Sequence, residues 1–139
     1  MLLDTLIPPK ILIVDDDQIL TSSLKISLEA EGFEVVLNSN PDTIINTLKQ
    51  THFSLAFVDL MMPNKLGFKI LKDIKNDIHT RTLPVIIVTN LGHMDYINAG
   101  LSMGASDYIL KSQTTSEDLV KLSKKYLLSF NARQNLSMQ

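Results

Sequence analysis

Two hydrophobic rhythms alternate along this chain. The runs KILIV (10–14), FEVVL (33–37), SLAFV (54–58), PVIIV (84–88) and SDYIL (106–110) are of strand length, and most are apolar on successive residues. A strand that alternates apolar with polar buries one face, whereas an unbroken run predicts burial on both. These runs therefore predict a parallel sheet covered by helices. Pro84 opens its run, where its missing N–H is tolerated.

The segments between follow the helical period. From Asp17 to Glu31, Leu20, Leu24 and Leu28 recur every four residues, widened by Ile19 and Ile26, and Gly32 supplies a stop. Asn40-Pro41-Asp42 reads as N-cap, first-turn proline and first-turn acid of a second helix that buries Ile44, Ile45 and Leu48. A third carries Phe68, Ile70, Leu71 and Ile74 inward, with Lys69, Lys72 and Lys75 outside. A fourth, from about Asp95 to Met103, stops at Gly104. The fifth follows Thr114-Thr115-Ser116-Glu117, read as a capping box, through Leu119, Leu122 and Tyr126.

Five βα units in succession predict an α/β fold with right-handed crossovers. The 139 residues suit one domain, taken as 9–130, with an extension over 1–8 and a polar, flexible tail over 131–139. Hydrophobic content of 45% and charged content of 20% are ordinary for a globular protein. A net charge of −2 gives no broad attraction to nucleic acid or a membrane surface. Without cysteine there is no disulfide framework, thiolate metal site or thiol catalysis. The opening MLLDTLIPP lacks the basic region of a signal peptide, and no run approaches the roughly 18 residues of a membrane span. A cytoplasmic location is the expectation.

The chemistry gathers at the strand ends. In an open α/β sheet the functional crevice lies beyond the carboxyl ends of the strands. There stand Asp15, Asp16 and Asp17 after the first strand, Asp59 after the third, Thr89 and Asn90 after the fourth, and Lys111 after the fifth. Two like charges ~4 Å apart cost on the order of 4 kcal/mol at an effective dielectric of 20, so such a rim demands counter-charge. Lys111 offsets one acid, and a hard divalent cation bound through carboxylate oxygens offsets others. Mg²⁺ is the natural choice, with Mn²⁺ as the alternative. Asp59 then reads as a nucleophile toward a phosphoryl group, and Asp15 and Asp16 as metal ligands. Thr89 reads as a hydrogen-bond donor to the phosphoryl oxygens and Lys111 as their ion-pair partner. Singly, each is an ordinary turn or strand-end residue; together, at four strand ends, they form a constellation.

ILIVDDD, AFVDLMMPNKLGF, PVIIVTN and GASDYILKS, in this order and spacing, resemble the receiver domain of two-component response regulators over about residues 9–130. The resemblance implies a flavodoxin-like, doubly wound five-stranded sheet of order 2-1-3-4-5 with helices on both faces. It implies phosphorylation of Asp59 by a histidine kinase or phosphotransfer protein, with the Met61 backbone carbonyl as a further metal ligand. It also implies a switch in which Thr89 moves toward the phosphoryl group and Tyr108 changes rotamer. The readout is then the face of the fourth helix, fifth strand and fifth helix, which would bind a downstream protein target or a second copy of the chain.

Three positions depart from the family pattern. Ser112 follows Lys111 where the family has proline after a cis bond. A cis bond before serine costs roughly 3–4 kcal/mol, so the expectation is a trans bond, or a strained cis one held by its neighbours. Asn90 replaces a very small residue beside the entrance to Asp59, and is expected, with Met61, to modulate access. Leu66 stands where many receivers carry an acid and is expected on the loop surface. Competing classes are a haloacid-dehalogenase-like phosphatase using Asp15 and Asp17, and an inert pseudo-receiver that only binds. The first lacks a cap insertion and a downstream acidic metal pair, and the complete Asp15/Asp16/Asp59/Thr89/Lys111 set argues against the second. The favoured reading is a signalling phosphoacceptor that catalyses its own phosphorylation and dephosphorylation but turns over no metabolite. No DNA-binding pattern follows the fifth helix, which leaves a stand-alone receiver and the first domain of a longer regulator both open.

Overall fold

β1 (Lys10–Val14), β2 (Glu34–Leu37), β3 (Leu55–Val58), β4 (Val85–Thr89) and β5 (Asp107–Leu110) form one parallel sheet of order β2-β1-β3-β4-β5. The helices are α1 (Gln18–Ala30), α2 (Pro41–Gln50), α3 (Leu66–Asn76), α4 (Met94–Ser102) and α5 (Ser116–Ser137). The structure is a computed structural model that describes the backbone of residues 7–137, and their side chains except those of residues 41, 65 and 128–137. Residues 1–6 of the expected N-terminal extension, and residues 138–139, lie outside this range.

Alternation along each central strand divides the core in two. Ile11, Ile13, Leu55, Phe57, Ile86 and Val88 face α1 and α5, meeting Leu24, Leu28, Leu119 and Leu127. Leu12, Val14, Ala56, Val58, Val85 and Ile87 face the other way, meeting Ile44 and Leu48 of α2 and Ile70, Leu71 and Ile74 of α3. Burial on both faces explains the unbroken hydrophobic runs of β1, β3 and β4. Full burial of a leucine, isoleucine or phenylalanine is worth roughly 1.5–3 kcal/mol, so these strands anchor the rim above them. The edge strands β2 and β5 are less covered, which matches their more polar runs.

Helix ends follow the local chemistry. Asp17 caps α1 by accepting from Leu20 N–H (3.1 Å), and Asn40 caps α2 by accepting from Asp42 N–H (3.0 Å). Gly32 and Gly104, after α1 and α4, have φ of +93° and +108°, the left-handed backbone that stops a helix at low cost only with glycine.

Five expectations change. Ile19 and Ile26, expected to widen the apolar stripe of α1, are exposed, and Thr21 is buried beside Leu24 and Leu28 instead. The capping box of α5 is shifted by one residue: Thr115 Oγ1 accepts from Asp118 N–H (3.2 Å), and an Asp118 carboxylate oxygen accepts from Thr115 N–H (3.1 Å). Thr114 is extended because it ends a 3₁₀ turn over Lys111–Gln113. Lys75 is not on the outer face, since its Nζ donates to the carbonyls of Leu83 (2.6 Å) and Arg81 (3.3 Å). Leu66 packs partly buried against the α2–α3 core instead of lying on the loop surface. The chain expected as a tail from residue 131 is helical as far as Ser137. The Lys111–Ser112 bond is trans, as expected for a non-proline bond.

Candidate functional site

Strand register brings the acids together. Val14 of β1 lies beside Val58 of β3, so the next residues, Asp15 and Asp59, leave neighbouring strands side by side. Asp59 N–H donates to Val14 O (2.9 Å), extending the ladder to the rim. On the far side of β3, Thr89 ends β4 opposite Leu110 of β5, and Lys111 follows directly. Adjacent strands lie about 4.8 Å apart, within reach of a long side chain from β5.

Lys111 closes the site. Its Nζ lies 2.8 Å from Asp15 Oδ2 and 2.8 Å from Asp59 Oδ2, with the three side chains 11%, 6% and 4% exposed. Removal from water makes such pairs strong only when every partner is satisfied. The second oxygen of each carboxylate has a backbone donor: Asp17 N–H reaches Asp15 Oδ1 and Met61 N–H reaches Asp59 Oδ1, both at 2.9 Å. Burial pushes the Asp15 carboxyl above the ordinary carboxylate range, and Asp59 adds to the rise against the Lys111 and Asp17 hydrogen bonds. For Lys111, burial alone draws the ammonium down. Hydrogen bonds to Asp15 and Asp59 outweigh it and hold the group above its usual value, fully charged at neutral pH.

Asp15, Asp16 and Asp59 each offer a carboxylate oxygen, and these lie within 4.8 Å of one another. Asp16 is exposed, which leaves one side of this cluster open to solvent. An octahedral Mg²⁺ with bonds of about 2.1 Å spans about 4.2 Å between opposite ligands, so small side-chain adjustments suffice. The all-oxygen donor set suits a hard cation, and the residues fit the metal expected from the sequence. Among the described residues this is the one group of three or more such ligands. Asp17 is not among them, because its carboxylate caps α1. That removes the Asp-x-Asp pair on which the phosphatase alternative was based.

The remaining predicted residues frame this pocket. Thr89 is fully buried, and its Oγ1 accepts from Leu91 N–H (3.4 Å). Tyr108 is half-buried, and its hydroxyl donates to Leu91 O (2.6 Å). Burial, followed by Asp59 and Tyr96, keeps the phenol above its ordinary pKa and hence a donor. Thr89 and Tyr108 thus hold the two polar groups of one residue, Leu91. Gly100 of α4 packs against this ring: a Cβ there would come within 3.3 Å of Tyr108 Cδ2. Asn90 and Met61 are exposed, Met61 at 57%. Sequence reasoning missed the Leu91 carbonyl and the Met61 amide, because main-chain partners carry no residue-type signal.

The response regulator receiver domain family model matches residues 11–123. The transcriptional regulatory protein CpxR of Escherichia coli (strain K12) is 41% identical over 103 residues, covering 73% of this chain and 42% of that protein. The phosphate regulon transcriptional regulatory protein PhoB of Rhizobium meliloti (strain 1021) is 32% identical over 114 residues, covering 82% of this chain and 50% of that protein. The chain therefore spans about half the length of the curated relatives it matches. A CheY-like response regulator receiver domain protein from Methanospirillum hungatei JF-1 superposes with a TM-score of 0.82 at 28% identity, covering 91% of this chain and 99% of that one.

Proposed function

The chain belongs to the response regulator receiver family and is a receiver domain of two-component signalling. On that premise we propose that Asp59 is its phosphoacceptor. The observation that carries this assignment is the clustering of Asp15, Asp16 and Asp59 oxygens within 4.8 Å, with Lys111 hydrogen-bonded to Asp59. An Asp59 carboxylate oxygen attacks phosphorus, the bond from phosphorus to the donor nitrogen of a phosphohistidine breaks, and the electron pair leaves with the imidazole. The product is an aspartyl phosphate.

Each neighbour has a part in that transfer. Asp15, Asp16, Asp59 and the Met61 carbonyl would hold a divalent cation, Mg²⁺ or Mn²⁺. Such a cation, when bound, neutralises carboxylate charge and polarises phosphoryl oxygens. Lys111 moves its ion pair from Asp59 Oδ2 to a phosphoryl oxygen, so the arriving negative charge meets a prepaired ammonium. Thr89 turns its hydroxyl proton to another phosphoryl oxygen and releases Leu91 N–H. Leu91 is also the anchor of the Tyr108 hydroxyl, so that release loosens the ring's hydrogen bond and biases its rotamer. The α4–β5–α5 face then presents a changed surface to a downstream protein or a second copy of the chain. Asn90 and Met61 stand exposed beside the pocket, where their size regulates access of phosphodonor and water to Asp59.

The donor is a histidine kinase or phosphotransfer protein, the setting is the cytoplasm, and the chain acts as a signalling acceptor without metabolite turnover. Intact-mass measurement after incubation with Mg²⁺ and a small phosphodonor tests the central claim. The parent should gain one labile phosphoryl group and Asp59→Ala none. An adduct of equal yield in Asp59→Ala rejects the assignment.

A further inference from the structure

The turn after β3 holds Asp59 by main-chain as well as side-chain contacts. Its amide is fixed to Val14 O and its Oδ1 to Met61 N–H, both at 2.9 Å. The other side of this turn is closed by Gly67, buried in the first turn of α3. A Cβ at position 67 would overlap the Asp59 carbonyl oxygen, and would fall 2.5 Å from Leu60 Cα and 2.9 Å from the Asp59 carbonyl carbon. All three are backbone atoms, so no side-chain rotation relieves the overlap. At Gly100, by contrast, the nearest atom is the Cδ1 terminus of Ile87, which can swing away. At Gly32 a Cβ meets nothing within 4 Å.

We propose that Gly67 is a positioning residue for phosphoryl transfer at Asp59. Lacking a side chain, it lets the first turn of α3 lie directly on the Asp59–Leu60 peptide. That contact sets where the Asp59 carboxylate and the Met61 main chain point. The proposal rests on the reading of Asp59 as phosphoacceptor and assigns a residue outside the charged cluster to its geometry. A methyl group at 67 must push this peptide away by more than 1 Å to restore ordinary contact. Misplacement of a reacting group on that scale can slow a reaction roughly 100-fold.

The experiment compares the parent with Gly67→Ala and Gly32→Ala. Alanine at 32 is strained by φ of +93° but lies where no neighbour is displaced, so it controls for lost stability. Three quantities are read: the urea unfolding midpoint, the rate of adduct formation with Mg²⁺ and acetyl phosphate, and the metal-free Met61 amide resonance in a ¹⁵N spectrum. In Gly67→Ala, adduct formation should slow 10- to 100-fold and the Met61 resonance should move as its bond to Asp59 is lost. Gly32→Ala should lose stability yet keep the parental rate and resonance. Parental rate and resonance in Gly67→Ala overturn the proposal, as does an equal slowing in Gly32→Ala. Failure of Gly67→Ala to unfold cooperatively even in sucrose also overturns it, by assigning the contact to folding alone. If the parent itself takes up no phosphoryl group, the phosphoacceptor reading fails separately, and the Met61 resonance decides the positioning claim.

Discussion

At Asp15 two demands oppose each other. The carboxylate must be ionised to pair with Lys111 and to serve a cation, yet burial and the neighbouring Asp59 penalise that charge. Its folded pKa is raised above 3.8, so the folded state holds the proton more tightly than the unfolded chain does. The ionised group therefore costs stability at neutral pH, and the cost fades as pH falls through the folded pKa toward 3.8. Asp15→Asn should raise the metal-free melting temperature at pH 7, since the amide carries no charge for burial and Asp59 to penalise. The gain should shrink as pH approaches 4. Calorimetry with chelator present checks both statements, and a lower melting temperature for Asp15→Asn at pH 7 rejects them. The acids, Thr89 and Lys111 were legible only jointly, because each type is ordinary at a strand end and their convergence on one rim is not. The splitting of the triplet was not legible, because three adjacent aspartates look alike until the start of α1 claims Asp17 as its cap. What the residue types could not carry was the role of the Met61 amide and of the Leu91 main chain.

Element by element, what could be read followed how local the causes were. The central strands were plain because double-sided burial leaves no polar position in the run. Asn40-Pro41-Asp42 started α2 as read, since all its cues lie within three residues. The start of α5 slipped by one because Thr114 and Thr115 are equally good caps, each with an acid three residues on. Only the 3₁₀ turn at Lys111–Gln113, which leaves Thr114 extended, chooses between them. Lys75 went to the outer face because helical period sees only α3, whereas its acceptors belong to the loop before β4. There its stem also lies 3.2 Å from the Cβ position of Gly104, so it joins the end of α3 to the turn after α4. Lys75→Met keeps most of that packing but leaves the Leu83 carbonyl without its donor, a loss of about 1–3 kcal/mol. Urea unfolding should show it, with phosphorylation at Asp59 kept at the parental rate because the loop lies at the opposite end of β4. A parental unfolding midpoint would show that the bond contributes nothing.

For the whole molecule, the sheet holds charge at its rim that the fold alone does not balance. Lys111 supplies one positive charge to Asp15 and Asp59, while Asp16 adds a third carboxylate oxygen within 4.8 Å of theirs. A ligand that binds the folded state and not the unfolded chain stabilises it by RT ln(1 + [L]/Kd), about 2.7 kcal/mol at one hundred times Kd. The unfolded chain separates Asp59 from Asp15 by a long, flexible loop and offers no comparable site. Mg²⁺ should therefore raise the melting temperature progressively with concentration, and Asp16→Asn should weaken that response at least tenfold in apparent affinity. Asp16 is exposed and the ion pairs of Lys111 go to Asp15 and Asp59, so its substitution should leave the metal-free fold intact. A Mg²⁺ response of the same size in Asp16→Asn would place the cation elsewhere. Loss of the response with unchanged metal-free stability would tie the rim's charge, and hence its capacity for phosphate, to one ion at the junction of β1 and β3.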